Sequence, residues 1–169
     1  FHNQQELENL ISAIDKEKKA LKTNIPIVIK ISPDIKENQI NEIAQILLKY
    51  KIPAIIISNT TENNKDSLMN SNKYQKGGLS GKPLEQRSNL LINKFYKIFK
   101  EKIKIIGVGG VDSGKSVYEK FLFGANLIQL YTGMIYEGPN IVNKIIKELN
   151  DILIKERITD LNSIIGSKS

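Results

Sequence analysis

The chain contains no cysteine and no tryptophan, and its one histidine is His2. Without cysteine there are no disulfides and no thiolate metal sites, and the redox compartment is left open. A histidine metal site or a histidine general base would have to come from outside this chain. No apolar run approaches the about 20 residues that cross a bilayer, and no signal-peptide pattern opens the sequence. Arginine-rich runs and interleaved aromatics are also missing. The net charge of +7 is spread as lysines along helix faces, so it reads as a solvated basic surface and not as a nucleic-acid site.

What is present fits one domain. With 169 residues, 40% hydrophobic content and 25% charge, the composition is that of an ordinary globular chain able to bury a sizeable core. The periodicity predicts a helix over Phe1 to Lys22, where Leu7, Leu10, Ile11 and Ile14 share a face. Strand Ile25 to Ile31 follows, apolar throughout except at Lys30, as suits a parallel sheet covered on both sides. After the Ser32-Pro33-Asp34 turn come a helix over Glu37 to Lys51 and a strand over Ala54 to Ser58. Glu62 to Lys76 is polar and reads as a long surface loop, closed by Gly77-Gly78-Leu79-Ser80-Gly81. A helix from about Leu84 to Lys100 leads to strand Lys104 to Val108. A helix over Lys115 to Phe123 follows, capped by Asp112 or Ser113 and stopped by Gly124. Strand Leu127 to Tyr131 precedes a last long helix, from about Asn140 to Glu156, and a tail with a short helical turn. Strict βα alternation argues a parallel sheet with right-handed crossovers, and four such units make half of a (β/α)8 TIM barrel. A half barrel leaves two open edges, so this piece expressed alone is expected to aggregate or oligomerise.

The stretch from Lys102 to Gly133 carries the clearest signal. Two consecutive βα turns, Gly109-Gly110 and Thr132-Gly133, combine glycine with hydroxyls and precede helices, the arrangement of a phosphate cradle in a βα barrel. Gly109 to Ser116 also matches the Walker A pattern G-x-x-x-x-G-K-S between a strand and a helix. A P-loop NTPase, however, needs a strand ending in aspartate to hold magnesium, and these strands end at Ser32, Asn59, Gly110 and Thr132. It also needs most of its sheet after the loop, where only one strand follows. The NTPase stays as a remote alternative.

In a βα barrel the active face is built at the strand C-termini. Lys30, inside an otherwise apolar strand, must either snorkel to solvent or meet an anion. Asn59 and Thr60 offer amide and hydroxyl groups to a planar polar substrate, or else simply cap a turn. Gly81, Gly110, Tyr131 and Thr132 complete the anion site.

Taken in order, Ile29-Lys30-Ile31-Ser32-Pro33-Asp34, Ser58-Asn59-Thr60-Thr61, Gly77-Gly78-Leu79-Ser80-Gly81-Lys82-Pro83-Leu84, Ile105-Ile106-Gly107-Val108-Gly109-Gly110-Val111 and Gly124 to Thr132 resemble the C-terminal half of class 2, quinone-linked dihydroorotate dehydrogenase. The resemblance extends to Ile164-Ile165-Gly166, and the wording of the last two motifs is most like mitochondrial members. It implies an FMN flavoprotein of pyrimidine biosynthesis that oxidises dihydroorotate to orotate. By position, Lys30 resembles the flavin-contacting lysine whose charge stabilises the reduced ring. Ser58 stands where the family usually has threonine beside the flavin. Gly81, Gly110, Tyr131 and Thr132 match FMN-binding positions, and Asn59 and Thr60 match residues that hydrogen-bond orotate. The family's catalytic serine belongs to a region that precedes the part matched by Phe1, so no catalytic base is expected here and this piece alone is expected to be inactive. The quinone tunnel and any attachment to the mitochondrial inner membrane would likewise belong to the preceding region. Another FMN-binding barrel oxidoreductase and an inactive barrel fragment are the alternative readings.

Overall fold

A computed structural model describes residues 4–63, 65 and 68–169. His2, the start of the first predicted helix and part of the predicted polar loop lie outside the described residues. The order of elements is α1 (Gln4–Ala20), β1 (Val28–Ile31), α2 (Glu37–Lys49), β2 (Ala54–Ile57), α3 (Glu85–Phe99), β3 (Lys104–Gly107), α4 (Gly114–Leu122), β4 (Leu127–Ile128), α5 (Thr132–Glu137) and α6 (Ile141–Lys155). The strands form one parallel sheet in the order β1-β2-β3-β4. Sequence order equals spatial order, as in successive units of a βα barrel.

Local chemistry sets the boundaries. The Lys36 N–H donates to Gln39 Oε1 at 2.8 Å, satisfying one of the unpaired donors that open α2. Ser113 caps α4 reciprocally with Ser116. β1 is shorter than the predicted strand because its partner β2 starts at Ala54, which pairs with Val28, so Ile25 to Ile27 have no ladder to join. β4 is shorter for a similar reason: its register with β3 covers only Ile106↔Leu127 and Gly107↔Ile128. The six-residue α5 was not anticipated, since a helix of that length shows too little of its 3.6-residue period to be read.

Within this chain the sheet is covered on one face only. Along β1 burial alternates, with Ile29 and Ile31 buried and Val28 and Lys30 exposed. The covered face carries Ile55, Ile57 and Ile105 against Ile92, Phe95 and Phe99 of α3, all fully buried. Burying such side chains contributes roughly 1.5–3 kcal/mol each. A second cluster joins Val117 and Phe121 of α4 to Ile141 and Ile145 of α6 and to Ile164 in the tail. The other face of the sheet (Val28, Lys30, Lys104, Leu127) is open, and among the described residues β1 and β4 are unpaired on their outer sides.

Candidate functional site

The loops that leave the C-terminal strand ends surround a cavity of about 520 Å³. Lys30, Ser58, Asn59, Thr60, Gly81, Gly110, Tyr131 and Thr132 all line it, so the residues picked from four separate strand ends meet in one place.

Backbone bonds stitch the strand ends together. The Asn59 N–H donates to Ile31 O at 2.8 Å, the Val108 N–H to Ile57 O at 2.7 Å, and the Ser58 N–H to Val108 O at 3.3 Å. Lys30 is exposed on the open face of β1, one pleat below that edge. Ser58 is buried, with its hydroxyl donating to the Asn59 carbonyl at 3.1 Å. Asn59 Oδ1 accepts from the Thr60 N–H at 2.9 Å, which leaves its amide NH2 as the free donor.

A carboxylate holds this loop in place. Asp34, in the turn after β1, accepts from Thr61 Oγ1 at 2.6 Å and from the Glu62 N–H at 2.9 Å. The Arg87 guanidinium lies 3.7 Å from Asp34 and donates through Nε to Pro33 O at 2.6 Å. Thr61 in turn exchanges backbone bonds with Leu79, at 3.1 and 2.7 Å. One carboxylate therefore joins the loops after β1 and β2 to the segment before α3. Burial pushes the Asp34 value up, but the hydrogen bonds from Thr61, the Glu62 N–H and Asn63, with the Arg87 charge, outweigh it and hold the group below its usual range.

Across the cavity two glycines have conformational reasons. Gly81 has φ of 78°, and a Cβ there would lie 2.9 Å from Thr132 Cγ2. The same approach lets Thr132 Oγ1 donate to Ser80 Oγ at 2.9 Å. Gly110 has φ of 72°, and its Cβ would lie 2.3 Å from Glu85 Cβ and 2.8 Å from Glu85 Cα. The glycine is demanded by the start of α3 packed against the turn, before any ligand is considered. Lys82 bridges Glu85 at 2.8 Å and Asp112 at 3.3 Å. Its hydrogen bond to Glu85 raises its value, over an opposing contribution from burial.

The Walker A alternative fails on geometry. Gly114 N–H donates to the Glu148 carboxylate at 2.7 Å, and a Cβ at Gly114 would meet Leu149 N at 2.4 Å, so α6 closes off the space a phosphate would need. Ser116 Oγ is engaged with Ser113 O at 2.8 Å and with the Asp112 and Ser113 N–H groups at 3.1 Å. Lys115 is exposed, and neither it nor Ser116 borders the cavity.

Two cavity residues, and one ion pair that supports the loops around them, carry no local sequence signal. Lys82 sits inside the Gly81-Lys82-Pro83 motif, where nothing local gives it a role, and Asp112 reads from the sequence only as a cap. Asp34 and Arg87 are 53 positions apart, and no local pattern joins them.

A parallel βα sheet in sequential order, with a glycine- and hydroxyl-lined cavity at its strand C-termini, defines part of a ligand-binding βα barrel. The family described as dihydroorotate dehydrogenase matches residues 1–153, and the chain belongs to that family. Dihydroorotate dehydrogenase (quinone) of Buchnera aphidicola subsp. Schizaphis graminum is 44% identical over 146 residues, covering 84% of this chain and 44% of that protein. The protein of the same description from Wigglesworthia glossinidia brevipalpis is 49% identical over 124 residues, covering 73% of this chain and 36% of that one. The crystal structure of DHODH in complex with ferulenol from Eimeria tenella superposes with a TM-score of 0.91 at 28% identity, over 99% of this chain and 49% of that chain. The chain thus spans less than half the length of the curated relatives it matches.

Proposed function

We propose that this chain supplies the FMN-phosphate site and part of the orotate site of a quinone-linked dihydroorotate dehydrogenase, which oxidises dihydroorotate to orotate. The observation that carries the reading is the convergence of Lys30, Ser58, Asn59, Thr60, Gly81, Gly110, Tyr131 and Thr132 on one cavity, in a chain of this family.

The residues present suit the cofactor. A cavity of about 520 Å³, ringed by a glycine turn, hydroxyls and the Lys30 ammonium, has the size and chemistry for a phosphorylated, planar heterocycle. FMN, when bound, would supply the hydride acceptor. Around it, the Gly109-Gly110 and Tyr131-Thr132 turns would hold the phosphate, and Lys30 would place a positive charge where negative charge develops. Asn59, with its oxygen committed to Thr60, would present NH2 donors to the substrate, and the Asp34 clasp would keep that loop still.

The open sheet face and the unpaired outer sides of β1 and β4 fit a domain whose other half comes from the remainder of the protein, and the catalytic serine and quinone path would belong there. Among the described residues no helix is long and apolar enough to cross a membrane. The two curated relatives named above are bacterial, and they lend no support to a mitochondrial placement.

The test is a full-length preparation. It should be yellow, release FMN on denaturation and oxidise dihydroorotate with a quinone acceptor. Asn59→Ala should keep FMN but raise KM for dihydroorotate, with kcat/KM falling by roughly ten- to a hundredfold for lost substrate hydrogen bonds. Unchanged kcat/KM in Asn59→Ala would remove Asn59 from the substrate site, and a colourless full-length protein would remove the flavin reading itself.

A further inference from the structure

Lys120 belongs to α4, yet none of its surface is exposed. Its Nζ donates to Ser88 Oγ at 3.1 Å and to Asn89 Oδ1 at 2.8 Å, both on α3. No carboxylate lies within ion-pair distance among the described residues. A buried ammonium held only by neutral groups is costly, and a methionine would fill the same space without that cost. The amine is therefore expected to do something that an apolar side chain cannot.

Its contacts lead to the cavity. A serine hydroxyl has one proton to give. Because Ser88 Oγ accepts from Lys120, its proton is free for Val108 O, which lies 2.7 Å away. Val108 is also bonded to Ile57 and Ser58, and it immediately precedes Gly109-Gly110. Gly107 makes room for the lysine stem, since a Cβ there would lie 3.2 Å from Lys120 Cδ and 3.1 Å from Ile92 Cδ1. The charge is also felt at the cavity rim: burial pushes Lys120 down to about 8, while Glu85 and Glu119 draw it up and Lys82 depresses it further. Lys82 lines the cavity, and Glu85 holds Lys82.

We infer that Lys120 is a positioning residue for a phosphate monoester in the cavity: through Ser88 it fixes the Val108 to Gly110 turn, and its buried positive charge favours the anion. The inference rests on the flavin reading above and adds a proton linkage to it. A bound phosphate raises the value of Lys120, so binding is strongest below about 8 and weakens as pH rises through the bound-state value. Lys82, raised by Glu85, stays charged through that range. The second phosphate proton, near 6, titrates below it.

Flavin fluorescence can follow FMN binding to the full-length apoprotein between pH 7.5 and 9.5, with riboflavin as the probe that lacks phosphate. FMN affinity of the wild type should fall by about tenfold across that range, one pK unit's worth, while riboflavin binding stays flat. Lys120→Met should bind FMN about tenfold more weakly at pH 7.5 with little further change at high pH, and its melting temperature should be kept or raised. Lys120→Arg, which cannot lose its charge here, should bind with a flat profile. Ser88→Ala should weaken FMN while keeping the slope. A Lys120→Met protein with wild-type FMN affinity and slope, or a Lys120→Arg protein that retains the slope, overturns the inference and leaves the flavin reading standing. A wild type that binds neither FMN nor riboflavin overturns both.

Discussion

The two faces of the sheet are made from much the same residues and meet different surroundings. On the covered face Ile55, Ile57 and Ile105 are fully buried under α3. On the open face Val28 is 38% and Leu127 60% exposed, in company with Lys30 and Lys104. β-branched side chains on both sides make a strand that reads as buried twice over, so the apolar run does not say which face has its partner in this chain. The lysines do: each stands on the open face, where a charged head can reach water or a ligand. The site grows from the C-terminal rim of that open face, which explains why its polar residues interrupt an otherwise apolar pattern.

The largest effects should come from breaking the covered face. Phe95 is fully buried, with its ring centroid 5.4 Å from that of Phe99, and Phe95→Ala should cost about 3–5 kcal/mol in urea unfolding. Ile56→Ala, on the open face, should cost under about 1.5 kcal/mol in this chain by itself, studied at concentrations low enough to keep it monomeric, because the side chain is only partly buried there. In the full-length protein the Ile56→Ala cost should rise into the range of a core position. Equal costs of Ile56→Ala in the two settings would mean that the rest of the protein does not cover this face.

Next come the rim positions. Gly110→Ala must overcome both a left-handed φ of 72° and the Glu85 side chain. A loss of roughly 1–3 kcal/mol of stability is expected, together with a sharp drop in FMN occupancy of the full-length protein. Asp34→Asn should cost a similar 1–3 kcal/mol, since it weakens the bonds to Thr61, Glu62 and Arg87. The pH dependence follows from the sign of the shift. Because the folded Asp34 is held below its unfolded value of about 3.9, its contribution is complete above that value and is lost as pH falls through the folded one. Acid unfolding of the wild type should therefore be steeper below pH 4 than that of Asp34→Asn.

Much of this was legible because the relevant physics is local. The order of the elements apart from α5, a cap at Asp112 or Ser113 and the strand-end residues around the cavity follow from period, turn chemistry and short motifs. What was not legible depends on pairing across the chain. The ends of β1 and β4 are set by where their partners begin, the identity of Gly110 by Glu85 on α3, and the reach of Lys120 by the absence of a side chain at Gly107. On sequence alone Lys120 reads as one more solvated lysine of α4, since helical phase says which way a residue points and not whether another helix waits there.

The smallest expected effect separates two readings of one stretch. Gly109 to Ser116 satisfies the Walker A pattern letter by letter, and in that reading Lys115 would carry the nucleotide phosphates, so its loss would abolish binding. In the fold observed, Lys115 is exposed at the start of α4, and the space beside Gly114 is filled by Glu148 and Leu149. Lys115→Ala should then change stability by no more than about 0.5 kcal/mol, as for other surface substitutions, and leave FMN occupancy at the wild-type level. The contrast with Gly110→Ala, five residues earlier, is the informative part: both positions lie inside the same eight-letter match, and only the one that borders the cavity should matter. Loss of ligand in Lys115→Ala with Gly110→Ala unaffected would reverse the assignment of the turn and of the cavity with it.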